Sequence, residues 1–91
     1  MVKLVEVYES SKGHILREVF VNPKHVVSLR EDARFSKKLQ EGQLPPELRD
    51  EHTFTKVTMD KGSTGLEIIV VGAPHIVEKK LRGDQRSLLN G

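Results

Sequence analysis

Four histidines are the residues of this chain best suited to metal chemistry, and their spacing argues against it. His14, His25, His52 and His75 never stand three or four residues apart, and no cysteine is available to complete a tetrahedral set, whereas a helix-borne site needs two ligands on one face. Three of the four fall beside turn sequences, where an exposed imidazole is ordinary. Nucleophilic chemistry has no better footing: Ser10, Ser11 and Ser63 lie in turns without the strand–glycine–helix setting of an activated serine. Lys61-Gly62-Ser63-Thr64-Gly65 has the composition of a phosphate loop but lacks its four-residue spacer, and a strand follows it instead of a helix. It reads as a hairpin turn. The sequence therefore points to no metal, no cofactor and no enzymatic activity.

Binding chemistry is better represented. Arg34, Phe35, Lys37, Lys38 and Leu39 form a short cationic stretch with two apolar side chains, close to Arg30. Glu31, Asp32 and Glu41 interrupt the charge, and Phe35 is its single aromatic, so stacking on nucleic-acid bases is poorly served. The stretch is the candidate surface for a protein partner. A second cluster, Lys79, Lys80, Arg82 and Arg86, lies toward the C-terminus, where cations also interact favourably with a helix dipole. It is the candidate phosphate-contacting surface of the alternative reading, a small oligomeric nucleic-acid-binding barrel.

These stretches must be positioned by a sheet. The 91 residues suffice for one domain, and 11 Val with 4 Ile favour pleated backbone over helix. Alternation predicts strands over Val2–Glu9, Ile15–Asn22, His25–Glu31, Thr53–Asp60 and Leu66–Val71, with Val19 and Val21 facing inward. A longer loop should join the first two, and Asn22-Pro23-Lys24 should turn the corner to the third. Val27 and Leu29 are expected on one face, Val26 and Ser28 on the other. Residues 32–52 form a charged excursion, in which Asp32 caps a helix over Ala33–Glu41, Gly42 ends it, and Pro46 starts another turn. Leu66–Val71 is apolar on both faces, which predicts a central strand. The period then changes from two to about 3.6 after Gly72-Ala73-Pro74, giving a C-terminal helix that Gly83 should stop. The fold class is mainly β (α+β): five antiparallel strands, compatible with closure into a small barrel, plus that helix. The domain spans 1–83, with 84–91 a flexible tail.

Lysine and arginine number 15 against 13 aspartate and glutamate, a net charge of +2. That balance reads as a mixed solvated surface rather than a dedicated polyanion binder. The chain lacks an apolar run long enough for a membrane span and lacks a signal-peptide core, so a cytoplasmic location is expected. Its small size makes a homo-oligomer plausible.

The order Val21-Asn22-Pro23-Lys24-His25-Val26-Val27-Ser28-Leu29-Arg30-Glu31, Thr55-Lys56-Val57-Thr58-Met59, Ile69-Val70-Val71 and Pro74-His75-Ile76-Val77-Glu78-Lys79-Lys80-Leu81 resembles the small FlbD/SwrD-like proteins linked to bacterial flagellar operons. The likeness covers about two-thirds of the chain; the charged segment 32–52 and the tail after Gly83 depart from it. It implies a non-enzymatic accessory protein, bacterial or phage-borne, with no catalytic residues to carry over.

Overall fold

The computed structural model describes residues 1–40, 42, 53–61 and 64–90. The strands are β1 (Val2–Ser10), β2 (Gly13–Val21), β3 (Val26–Glu31), β4 (Phe54–Lys61) and β5 (Thr64–Val71), with helices α1 (Ala33–Gln40) and α2 (Pro74–Asn90). They build one antiparallel sheet in the order β2-β1-β5-β4-β3. β5 is its central strand, as the two-sided apolar run Leu66–Val71 predicts. The turn expected at Pro46 and the tip residues Gly62 and Ser63 lie outside the described residues.

The β1–β2 turn is shorter than expected. Ser10 pairs with Gly13, so only Ser11 and Lys12 form the loop. Ser10 Oγ donates to the Gly13 carbonyl at 2.8 Å and accepts from Lys12 N at 3.2 Å, and Gly13 has a φ of 119° that favours glycine. The link from β2 to β3 is a 3-10 turn, Pro23–His25, opened by Asn22 Oδ1 accepting from Lys24 N. It connects the two outermost strands. Across a flat five-stranded sheet those edges would lie about 19 Å apart, at about 4.8 Å per strand. The four residues Asn22–His25, folded back by the bond from His25 N to the Asn22 carbonyl, do not span that distance, so the sheet curls. It does not close: β2 and β3 are not paired, and the barrel is absent.

α2 fills the concave face. Its Val77 and Leu81 pack with Val2 and Leu4 of β1, Val21 of β2, Val57 of β4, and Ile68 and Val70 of β5, against Val26 and Leu29 of β3. Val26 and Leu29 thus share a face, contrary to strict alternation. The ladder steps from Val26↔Met59 to Ser28↔Thr58, and Val27 is the extra residue of a bulge, exposed to solvent. Pro74 starts α2 after Gly72, whose φ of 121° is accessible chiefly to glycine. The helix then continues through Gly83 to Asn90, so Gly83 is not its stop. One interior glycine costs only about 1 kcal/mol relative to alanine, too little to end a helix already anchored by Val77 and Leu81. The predicted tail after Gly83 is helical as far as Asn90.

The β1–β5 junction is slight. β1 pairs with β2 along its whole length and β5 with β4 along its whole length, whereas the ladder between the neighbouring strands β1 and β5 holds one registered pair, Glu6↔Val70. Two ribbons, β1–β2 and β3–β4–β5, therefore share a single stitch.

Candidate functional site

The convex face is where the charged excursion returns to the sheet. Alternation along β4 sends Phe54, Lys56 and Thr58 to this face, and antiparallel register adds Arg30 and Ser28 of β3 and Glu67, Ile69 and Val71 of β5. α1 lies across part of it. Phe35 is buried with Phe54 and Val7, and Leu16, Ile69 and Val71 pack around them. Its ring is 5.9 Å from that of Phe54 and stands edge-on to His14 at 5.8 Å. This side chain is core, which corrects its place in the predicted contact surface. The second apolar side of β5 needed a cover, and Phe35 supplies it.

Asp32 fixes the start of α1. Its backbone N–H donates to the Phe54 carbonyl at 2.8 Å, and Oδ1 accepts from Arg34 N at 3.0 Å, the cap predicted from sequence. The Arg34 guanidinium binds the same carboxylate through Nε at 3.3 Å and Nη2 at 3.0 Å. Asp32 is buried, and this partner holds its carboxyl below the usual aspartate range.

Of the other residues proposed for protein contact, Arg34 and Lys37 are exposed on α1. Lys38 is half-buried, its ammonium 4.9 Å from the Phe35 ring centre. Leu39 is in α1, but its side chain lies outside the described residues. In the C-terminal cluster Lys79 and Lys80 are exposed, while Arg82 is engaged by Glu78 at 2.8 Å. Arg86 is in α2, its side chain likewise outside the described set.

Beside α1 runs a polar groove of about 500 Å³, floored by Ser28, Arg30, Lys56 and Thr58 and walled by Glu31, Asp32, Arg34 and Glu67. Arg30 and Lys56 are directly opposite each other across β3 and β4, as are Ser28 and Thr58 one row away. Lys56 Nζ is 3.6 Å from Glu67 Oε2. Arg30 has no ion pair and the hydroxyls of Ser28 and Thr58 have no hydrogen-bond partner among the described residues. Sequence reasoning found Arg30 and Arg34 but not Lys56, Ser28 or Thr58, because only the strand register brings them together.

On the concave face Glu6 is buried and accepts from Arg17 Nε at 2.8 Å, and the Arg17 guanidinium stacks 3.6 Å from the Tyr8 ring centre. This arrangement neutralises a carboxylate beside the β1–β5 stitch and is structural. His14 Nε2 is buried with no partner, and no group of three or more potential metal ligands gathers among the described residues. His52 lies outside them. No described helix is long and apolar enough to cross a membrane. No protein-family model, curated protein or solved structure matches the chain.

Proposed function

We propose that this protein is a non-enzymatic accessory module that binds another protein through the excursion between β3 and β4, with Arg34 and Lys37 of α1 and the adjoining groove as its contact surface. One observation carries the reading: α1 is anchored to the sheet by Phe35 and capped by Asp32, while Arg34 walls the groove and Lys37 is exposed on the same helix. A rigid scaffold that holds cationic side chains at a polar groove is suited to recognition, since the contacts are ordered before binding. The resemblance to FlbD/SwrD-like proteins is in keeping with an accessory role.

The test is photo-crosslinking in cells from a probe placed at Lys37, compared with one placed at Lys80. A discrete adduct from position 37, lost in the Arg34→Gln variant, supports the assignment. An adduct from position 80 alone moves the contact to α2 and overturns it.

A further inference from the structure

We propose that the groove floor formed by Ser28, Arg30, Lys56 and Thr58 is a binding niche for one phosphoryl group. The inference deepens the protein-binding reading and rests on it only for the source of that group. Four observations converge.

First, Arg30 and Lys56 are direct cross-strand partners on one face, and like charges placed opposite each other destabilise a sheet. An anion seated between them removes that penalty. Second, Lys56 is only loosely neutralised. Its 3.6 Å separation from Glu67 exceeds the 2.7–2.9 Å of a good charge-assisted hydrogen bond, and the Glu67 side chain is largely solvated, 58% exposed. An incoming oxyanion can take its place. Third, the adjoining row supplies two hydroxyl donors, Ser28 and Thr58, that make no other hydrogen bond among the described residues. Fourth, Arg34, the remaining cation of the groove, is already committed to Asp32, so it closes one wall without adding a competing free charge.

The donor count selects the ligand. The Arg30 fork, the Lys56 ammonium and two hydroxyls offer more donors than the two oxygens of a carboxylate can use well. They match the three terminal oxygens and nearly two negative charges of a phosphate monoester. That ester is borne either by a phosphorylated side chain of the protein partner or by a small molecule; both present the same group to the niche.

The experiment is a two-dimensional ¹H–¹⁵N NMR titration of the whole chain with inorganic phosphate, at ionic strength held constant with chloride. Saturable shifts at Ser28, Arg30, Lys56 and Thr58 are expected. In the Arg30→Gln variant phosphate affinity should fall by about tenfold or more, the loss of a hydrogen bond to a charged group. Ser28→Ala, a smaller change at the same floor, should weaken it less. Shifts that follow chloride equally, or that spread over Lys79 and Lys80 as much as over the groove, overturn the niche.

A second arm compares a phosphoserine peptide with its unphosphorylated form. Tighter binding of the phosphopeptide than of inorganic phosphate places the group on a protein. If inorganic phosphate saturates the niche and the phosphopeptide binds no better, the niche stands and its ligand is a small phosphate ester. If neither phosphate probe binds, the niche is refuted, while the crosslink from position 37 still decides the protein-binding reading independently.

Discussion

Replacing Phe35 by alanine separates two roles that one side chain could have, core anchor or partner contact. Phe35 is 9% exposed and packs on Phe54, Val7 and His14. Burial of such a side chain is worth about 1.5–3 kcal/mol, and the two aromatic contacts add about 0.5–1.5 kcal/mol each at most. Truncations of this kind in closed cores cost about 3–5 kcal/mol. Here α1 lies on the outside of the sheet and can lift away, which relieves the cavity, so we expect a cost just below that range, about 2.5 kcal/mol. With a urea slope of about 1.25 kcal/mol per M, the unfolding midpoint should fall by about 2 M. Lys37→Ala, an exposed control on the same helix, should stay within about 0.5 kcal/mol of the parent. A midpoint shift for Phe35→Ala below about 0.5 M with an unchanged slope would refute the packing argument and return this ring to the binding surface.

Asp32→Asn should cost about 1 kcal/mol at neutral pH, since the amide still caps Arg34 N but loses the charged partner. Because the folded Asp32 carboxyl titrates below its ordinary value, its contribution is complete above the unfolded value near pH 4 and disappears as pH falls through the folded one. Parent and variant stability curves should therefore converge on acidification below about pH 4; parallel curves would contradict the Arg34 pairing. Thr55→Val keeps the shape of a fully buried residue but removes the bond from Oγ1 to the Gly72 carbonyl at 2.7 Å, and calorimetry should register a loss of about 1–3 kcal/mol. Arg30→Gln should stabilise the phosphate-free protein by a few tenths of a kcal/mol by relieving its charge repulsion with Lys56, an effect that high salt erases; a destabilised variant would mean that Arg30 packs rather than repels.

Much of the scaffold could be read from residue order. The two-sided apolar run Leu66–Val71 marked the central strand, the hairpin with Thr53–Asp60 followed from its turn residues, and Asp32 announced the cap of α1. What escaped depends on three-dimensional neighbours. Val27 looks like an inward residue until the bulge removes it from alternation. Gly83 has the chemistry of a helix stop, but Val77 and Leu81 have already anchored α2 before the chain reaches it. Phe35 and Leu39 form too thin a stripe to announce burial, and only the apolar convex-face side chains of Phe54, Ile69 and Val71, which need a cover, explain why Phe35 turns inward. The groove was half visible: Arg30 and Arg34 are near in sequence, whereas Lys56 joins them through a register set by β4, across the whole excursion.

The lone Glu6↔Val70 stitch has a consequence for how the molecule comes apart. The facing edges from Val7 to Glu9 and from Leu66 to Ile69 lack ladder partners across the seam, so their unprotected amides should exchange with solvent well before those inside either ribbon. α2 touches β1 on one side of the seam and β3 and β4 on the other, and so acts as its clasp. Release of that helix together with the Phe35 cluster, which joins Val7 and Leu16 of one ribbon to Phe54, Ile69 and Val71 of the other, would leave an N-terminal hairpin and a three-stranded meander, two cooperative units whose docking is the late, long-range step of folding.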